Sequence, residues 1–228
     1  MTSDVKVFAT TGNSSKTAPG DGQSIVSLDG ANGLARLDAW RVPTSQLTNN
    51  DDDFGASPTI FTANVAGVPT RMVGACNKNG VFYALRADSL ALGPVWTFKV
   101  AASSTAGAQA CLGAAVWDGT NLYIAGGATT IKGKIFAGSV RKLDPSSGTA
   151  KWELGLNSVV LGSMALDGAA VLAAATYGKN VTDGVYLIDS SAGTIIKFMG
   201  TGKEFSQPVF ADSFLVVASR NNLSAYGP

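Results

Sequence analysis

The sequence predicts an all-β fold, a partial β-propeller built from about four to five blades of four antiparallel strands each. Short runs of β-branched and aromatic residues alternate with Gly, Pro and Asn turns along the chain. A tryptophan ends the same kind of phrase at equal intervals, at Trp40, Trp96 and Trp152. Repeated four-stranded units with one aromatic signature per unit are typical of propellers, because each small sheet buries its faces only against its neighbours.

The stretch from Asp53 to Val100 predicts one complete blade. Its four candidate strands are SPTIFTANV, RMVGACN, GVFYALR and VWTFKV. Turn residues separate them, with Gly67 and Pro69 in the first turn and Asn79-Gly80 in the second. The tryptophan of the fourth strand, Trp96, is expected to wedge between neighbouring sheets.

A second repeated feature is the strand that opens each unit. Small residues recur at its start, at Gly55, Gly113, Gly162 and Ser206. Only small residues allow innermost strands to approach closely where several sheets converge on an axis. The pattern therefore favours a propeller over a sandwich.

The units predict a single incomplete propeller domain over residues 1–228, divided at roughly 1–50, 51–108, 109–158, 159–203 and 204–228. The first unit lacks an opening strand and the last lacks a closing one. Sheet edges and faces are then left open, and we expect a homodimer or another association through these open ends.

Composition excludes several classes of function. Only 14% of residues are charged, the net charge is +1, and Lys and Arg form no run, so neither nucleic acid nor a membrane is an expected partner. No apolar stretch approaches the roughly 20 residues that span a bilayer. The opening residues lack the features of a secretory signal. The complete lack of histidine excludes Ser-His-Asp and Cys-His catalysis and His-ligated metals.

The two cysteines, Cys76 and Cys111, are far apart in the sequence and have no metal-like spacing. Cys76 lies in the apolar strand RMVGAC. The pattern favours two buried free thiols, with a disulfide as the alternative.

Several phrases carry a family resemblance. LDPSSGTAKW and LIDSSAGTIIKF are similar to the ALDxxTGKxxW repeat of pyrroloquinoline quinone (PQQ) propellers. The ordered series VFATTGN, SIVSLDGANG, DDDFGASP and GACNKNGVFYAL resembles the second half of the quinoprotein alcohol dehydrogenases, including the polyvinyl-alcohol dehydrogenase branch. The resemblance implies an eight-bladed periplasmic propeller with PQQ and Ca²⁺ on its axis.

The same resemblance assigns three site residues. Asn13, in the TGN motif, falls on a calcium ligand, and Asp53 falls on a second ligand that also acts as the catalytic general base. Lys78 falls on the cofactor-binding and catalytic cation that stabilises negative charge on the reduced quinone. The implied function is oxidation of an alcohol by hydride transfer to PQQ in the complete protein.

Each assignment has a structural alternative. Asn13 suits a turn, the run Asp51 to Asp53 suits a solvated loop tip, and Lys78 lies in NKNG, a favourable hairpin turn. The N-terminal half of the family, which supplies further calcium and cofactor contacts, has no counterpart in these residues. One copy of this chain therefore cannot complete a PQQ pocket, and its status as an enzyme is left open. The alternative function is a non-catalytic propeller that binds protein or serves as an assembly scaffold, as in the related outer-membrane assembly lipoprotein.

Overall fold

The computed structural model describes residues 5–14, 20–102, 111–178, 183–219 and 222–227. Within these ranges the chain forms antiparallel sheets and two single turns of 3-10 helix, at Thr44–Gln46 and Leu90–Leu92. Neither turn approaches the length or apolar character of a membrane-crossing helix, and the described residues contain no other helix.

Five sheets follow one another along the chain and are named blades 1 to 5. Blade 1 contains β1 (Lys6–Thr10), β2 (Ser24–Asp29) and β3 (Ala35–Arg41). Blade 2 contains β4 (Thr59–Val65), β5 (Val68–Cys76), β6 (Val81–Arg86) and β7 (Pro94–Lys99). Blade 3 contains β8 (Val116–Trp117), β9 (Leu122–Gly126), β12 (Gly138–Leu143) and β13 (Ala150–Leu156), and a separate hairpin of β10 (Thr129–Ile131) and β11 (Lys134–Phe136) interrupts it. Blade 4 contains β14 (Ala165–Asp167), β15 (Val171–Ala175), β16 (Val185–Asp189) and β17 (Ile195–Met199). Blade 5 contains β18 (Val209–Ala211), β19 (Phe214–Ser219) and β20 (Asn222–Tyr226).

Every blade is an antiparallel meander, and in blade 3 the β10–β11 hairpin is inserted between the paired strands β9 and β12. Blades 1 and 5 have three described strands each, and blades 2 to 4 have four. The predicted fold class, a partial propeller of about four to five blades, is confirmed. The assignment of all residues to a single domain stays a prediction.

Small residues line the narrow inner end of the blades. A Cβ atom added at Gly113 would lie 2.6 Å from the carbonyl oxygen of Gly162, and one at Gly162 would lie 2.8 Å from that of Ser206. Each of these residues therefore lies directly against its counterpart in the next blade. No side chain fits between such closely spaced backbones, which explains the recurrence of small residues there.

The tryptophans of the outer strands connect successive blades. Trp96 Nε1 of blade 2 donates to the carbonyl oxygen of Pro145 in blade 3 at 2.8 Å, and Trp152 Nε1 of blade 3 donates to Ser190 of blade 4 at 3.0 Å. Trp40 of blade 1 packs against Tyr83 of blade 2 with 4.8 Å between ring centroids. Four apolar clusters fill the spaces between consecutive blades.

The preference for free thiols is wrong, because Cys76 and Cys111 form a disulfide with their Cα atoms 5.6 Å apart. Cys76 ends β5 of blade 2, and Cys111 lies two residues before Gly113, at the inner end of blade 3. Convergence of the blades at this end brings together two residues separated by 35 positions in sequence. Both cysteines are buried.

Candidate functional site

The three predicted site residues come from different parts of the chain and meet at one end of blades 1 and 2. Asn13 follows β1, Asp53 precedes β4, and Lys78 lies in the turn between β5 and β6. The backbone N–H of Phe54 donates to Thr11 O at 3.3 Å, which ties the loop after β1 to the Asp53 segment. A second bond, from the N–H of Lys78 to Asp53 O at 2.9 Å, ties the turn to the same segment.

The central contact of this site is an ion pair. Lys78 Nζ lies 2.7 Å from Asp53 Oδ1, and the two side chains are only 20% and 13% exposed. A Cβ atom at Gly12 would lie 3.6 Å from Asp53 Oδ2, so the second carboxylate oxygen faces the loop that carries Asn13. Partial exclusion of water strengthens such a pair relative to one on the open surface.

Asp51 is a fourth member of the site. Its Oδ1 lies 3.0 Å from Lys78 Nζ and accepts a hydrogen bond from Asn13 Nδ2 at 3.2 Å. Asp51 therefore connects Asn13 to Lys78, and the ammonium group has two carboxylates within reach. The sequence showed Asp51 only as part of an acidic run, and the contacts that distinguish it are between distant segments.

Asp52 has a structural role. Its side chain is fully buried, and Asp52 Oδ2 accepts from the backbone N–H and hydroxyl of Thr48 and from the N–H of Asn49. Its own carbonyl oxygen accepts from Asn77 Nδ2 at 3.1 Å. These bonds fix the loop, so the three consecutive aspartates have three different environments, and the solvated-tip alternative fits only Asp51.

The electrostatics keep Lys78 charged. Burial by itself lowers the pKa of Lys78, but the hydrogen bonds and charges of Asp53 and Asp51 outweigh it and raise the pKa above its usual value. The pKa of Asp51 is lowered, mainly by its hydrogen bond to Lys78 and also by that from Asn13. The site therefore presents a fixed cation between two acidic groups at neutral pH.

Calcium requires six to eight oxygen ligands, which gives a test of the implied metal. The amide nitrogen of Asn13 donates to Asp51, so the oxygen ligand expected of Asn13 would be its Oδ1, and that expected of Asp53 would be Oδ2. The described residues contain no group of three or more His, Cys, Asp or Glu side chains placed to hold a metal. The donor types fit calcium, but these residues supply only part of a coordination shell.

Another buried carboxyl group lies at the inner end of blade 5, at a position in the repeat that corresponds to that of Asp53 in blade 2. Glu204 precedes Ser206 by two residues, as Asp53 precedes Gly55. Glu204 is fully buried, and in the described part of the chain neither side-chain oxygen has a hydrogen-bond partner of normal geometry. Burial raises its pKa, an effect that the hydroxyls of Thr201 and Ser219 only partly oppose. Glu204 was not among the predicted site residues, although its position in the opening-strand repeat marks it.

No protein-family model matches this sequence, and a search of curated proteins finds no match either. Solved structures do match. BamB from Moraxella catarrhalis aligns with a TM-score of 0.65 at 14% identity over 96% of this chain and 57% of its own. Quinohemoprotein alcohol dehydrogenase from Comamonas testosteroni aligns with a TM-score of 0.65 at 16% identity over 93% of this chain and 42% of its own.

A europium-containing methanol dehydrogenase also aligns, with a TM-score of 0.62 at 12% identity over 93% of this chain and 48% of its own. The chain thus spans about half the length of the solved structures that it matches. The likeness confirms the predicted resemblance to PQQ-type propellers at the level of fold. Identities this low establish the fold alone.

Proposed function

We propose that this chain forms one side of a PQQ- and calcium-dependent alcohol dehydrogenase site, with Asp53 and Lys78 as its catalytic residues. The observation that carries the proposal is the shielded contact of 2.7 Å between these two side chains, with Asn13 joined to them through Asp51. Three residues chosen from separate sequence motifs lie in one cluster. The presence of alcohol dehydrogenases among the structures that share this fold supports the proposed class of function.

In this proposal Asp53 accepts the proton of the substrate hydroxyl as a general base. Lys78 reaches Asp51 at 3.0 Å as well as Asp53, so the ammonium group can be held by Asp51 while Asp53 turns to the alcohol. PQQ, when bound, would supply the acceptor for the hydride that leaves the alcohol carbon. Lys78 would donate a hydrogen bond to an oxygen that carries developing negative charge.

Asn13 and Asp53 would supply oxygen ligands to calcium, and the remaining ligands come from outside the described residues. The backbone bonds around Asp53 support this role because they hold its chain segment in place against the loop after β1 and the β5–β6 turn. The proton would move from the substrate to a carboxylate oxygen of Asp53, and the loops position that oxygen.

A test is dye-linked alcohol oxidation by the full chain supplied with PQQ and Ca²⁺, at a protein concentration high enough for a second copy to complete the pocket. Asp53→Asn keeps the size of the side chain but removes the base, so activity is expected to fall by at least about a hundredfold. The matched control is Asp88→Asn, which alters an exposed ion pair on blade 2. Equal activity in the Asp53→Asn variant and the parent would remove Asp53 from the mechanism.

The second candidate function is a protein-binding or assembly scaffold. It is favoured by the incomplete donor set for calcium in the described residues and by a likeness to BamB as high as that to the alcohol dehydrogenases. In a scaffold, the Asp53–Lys78 pair serves only to fix two loops. Dye-linked oxidation that depends on Asp53 would exclude this candidate.

We also assign the chain to the bacterial periplasm. Disulfides persist in oxidising compartments and are rare in the cytosol, and the buried Cys76–Cys111 bond supports this assignment. Thiol alkylation of the native protein taken directly from cells would test it, because a reduced pair in vivo contradicts a periplasmic location.

A further inference from the structure

Blade 1 has one covered and one open face. Ile25 and Trp40 face blade 2 and belong to the apolar contact there. Strand register places Val7 beside Leu28, and Val26 beside Ala9 and Ala39, on the opposite face. In the described structure no blade covers this apolar face. Val7 is 39% exposed, while Val26 in the central strand is buried.

Blade 5 has an open apolar face at the other end of the series. Leu215 and Val217 pack against blade 4. The alternate residues of β19, Phe214 and Val216, lie on the other face with Val209 as a cross-strand neighbour. Phe214 is 47% exposed, which is high for a phenylalanine in a strand.

A turn in blade 1 shows which kind of neighbour its open face accepts. In blades 3 and 4, the glycine that ends the Asp-x-x-x-Gly turn lies under the tryptophan of the preceding blade. A Cβ atom at Gly148 would lie 2.5 Å from Trp96, and one at Gly193 would lie 2.5 Å from Trp152. Gly33 ends the same turn in blade 1, and a Cβ atom there meets nothing within 4 Å.

The blade 1 turn shares part of the geometry of its counterparts, although the carbonyl oxygen of Asp29 accepts from the N–H of Leu34, where those of Asp144 and Asp189 accept from the turn glycine. Asp29 Oδ1 accepts from the N–H two residues later at 2.9 Å, as Asp144 Oδ1 does at 2.9 Å and Asp189 Oδ1 at 2.8 Å. Gly33 also shares their positive φ, 60° against 72° at Gly148 and 69° at Gly193. The open face of blade 1 is therefore the face that receives a preceding blade.

The open face of blade 5 is of the opposite type, the one that packs on a following blade. From these two faces we propose that a second copy of this chain docks head to tail, with blade 5 of one copy against blade 1 of the next. This contact would repeat the arrangement of the four blade-to-blade contacts within the chain, in which each blade packs on the next. The net charge of +1 does not oppose the approach of two copies. This proposal is independent of the alcohol dehydrogenase function.

The size of the two open faces determines how strongly two copies are expected to associate. Three strands of five to seven residues make a face of about 18 Å by 14 Å. That footprint of about 250 Å² is well below the roughly 800 Å² that each partner buries in a stable complex. The last blade also has no outer strand among its described residues to place an indole over Gly33. We expect association that rises with protein concentration and dissociates on dilution.

The test uses two variants of the full chain, Val7→Glu on blade 1 and Phe214→Glu on blade 5. Both positions are exposed, so the folded chain tolerates the charge, which circular dichroism checks. Each variant alone is expected to sediment as a monomer at millimolar concentration, where the parent associates. Ile135→Glu, on the exposed hairpin, is the matched control and is expected to associate like the parent.

Mixing the two variants is the decisive step. Each keeps one working face of the opposite type, so an equimolar mixture is expected to form a 1:1 dimer that cannot grow further. A parent chain that stays monomeric at millimolar concentration would overturn the proposal. So would self-association of either variant alone, which indicates like-face contact, or a mixture that stays monomeric.

Discussion

Lys78 Nζ lies 2.7 Å from Asp53 Oδ1 and 3.0 Å from Asp51 Oδ1, so a single ammonium group joins two loops that are distant in sequence. Two of these three residues come from the acidic turn before β4 and one from the β5–β6 turn. These ion pairs affect stability as well as function, since a variant without the Lys78 ammonium group would hold the Asp51 and Asp53 carboxylates close together with no cation between them.

Lys78→Gln is expected to lower the free energy of unfolding by about 1–2 kcal/mol, because Asp53 is mostly shielded from water and loses its partner. Urea denaturation measures the change. Lys6→Gln is the matched control, since Lys6 pairs at 3.0 Å with Asp88, which is largely exposed, and should cost less than about 0.5 kcal/mol. Equal losses in the two variants would mean that the Asp53 environment gives the pair no extra strength.

Reduction of the Cys76–Cys111 disulfide is expected to lower stability by about 4 kcal/mol, the loop-entropy value for a closure of this length. Both sulfurs are buried, so a reductant should act through unfolding and not on the native chain. Denaturation curves with and without reductant measure the loss. A double variant, Cys76→Ala with Cys111→Ala, should show no response to reductant, and a parent that is equally unresponsive would contradict the disulfide.

Gly148→Ala and Gly193→Ala are expected to destabilise the fold by about 1–3 kcal/mol more than Gly33→Ala. All three glycines have positive φ, so the backbone cost is shared. Only at Gly148 and Gly193 does the new methyl group meet a tryptophan ring at 2.5 Å. Thermal unfolding, with tryptophan fluorescence as a second readout, checks the difference. Three equal losses would show that the indole rings move aside at little cost.

Glu204→Gln is expected to stabilise the chain at neutral pH. Burial raises the pKa of Glu204 above its ordinary value of 4.5, so the folded chain binds this proton more tightly than the unfolded chain. The stability from Glu204 is then fully present below the ordinary pKa and is lost as pH rises through the folded value. The gain in Glu204→Gln should vanish below about pH 4.

Urea midpoints at a series of pH values measure this effect. Asp167→Asn, at an exposed position in blade 4, is the control and should change little at any pH. A Glu204→Gln variant that is less stable than its parent at neutral pH would mean that the ionised carboxylate has a stabilising partner.

The repeats made most of the fold predictable from sequence. Trp96 and Trp152 marked the contacts between consecutive blades, and Gly113 and Gly162 marked the inner strands. These features were predictable because each belongs to a local sequence pattern that recurs from unit to unit. The Cys76–Cys111 bond had no such pattern. It depends on how closely the inner ends of two blades approach, which is a property of the assembled fold.

The candidate site was predictable only in part, for the same reason. Asn13, Asp53 and Lys78 were identified from ordered motifs, and their catalytic and metal-binding roles stay predictions. Asp51 and Asp52 belong to the same acidic run, yet one is exposed at the site and the other is buried under Thr48. Three identical neighbours in sequence give no signal for that difference, which arises from the chain segments that surround each carboxylate.

The most direct test of the proposed function is a calorimetric titration of the full chain with PQQ in the presence of Ca²⁺. The account predicts saturable binding that Lys78→Met weakens at least about tenfold, a loss of about 1.4 kcal/mol. Lys203→Met, which removes a lysine stacked over Tyr177 near blade 5, should leave the affinity unchanged. A titration without saturable heat, or one with the same affinity in the Lys78→Met variant and the parent, would contradict the account.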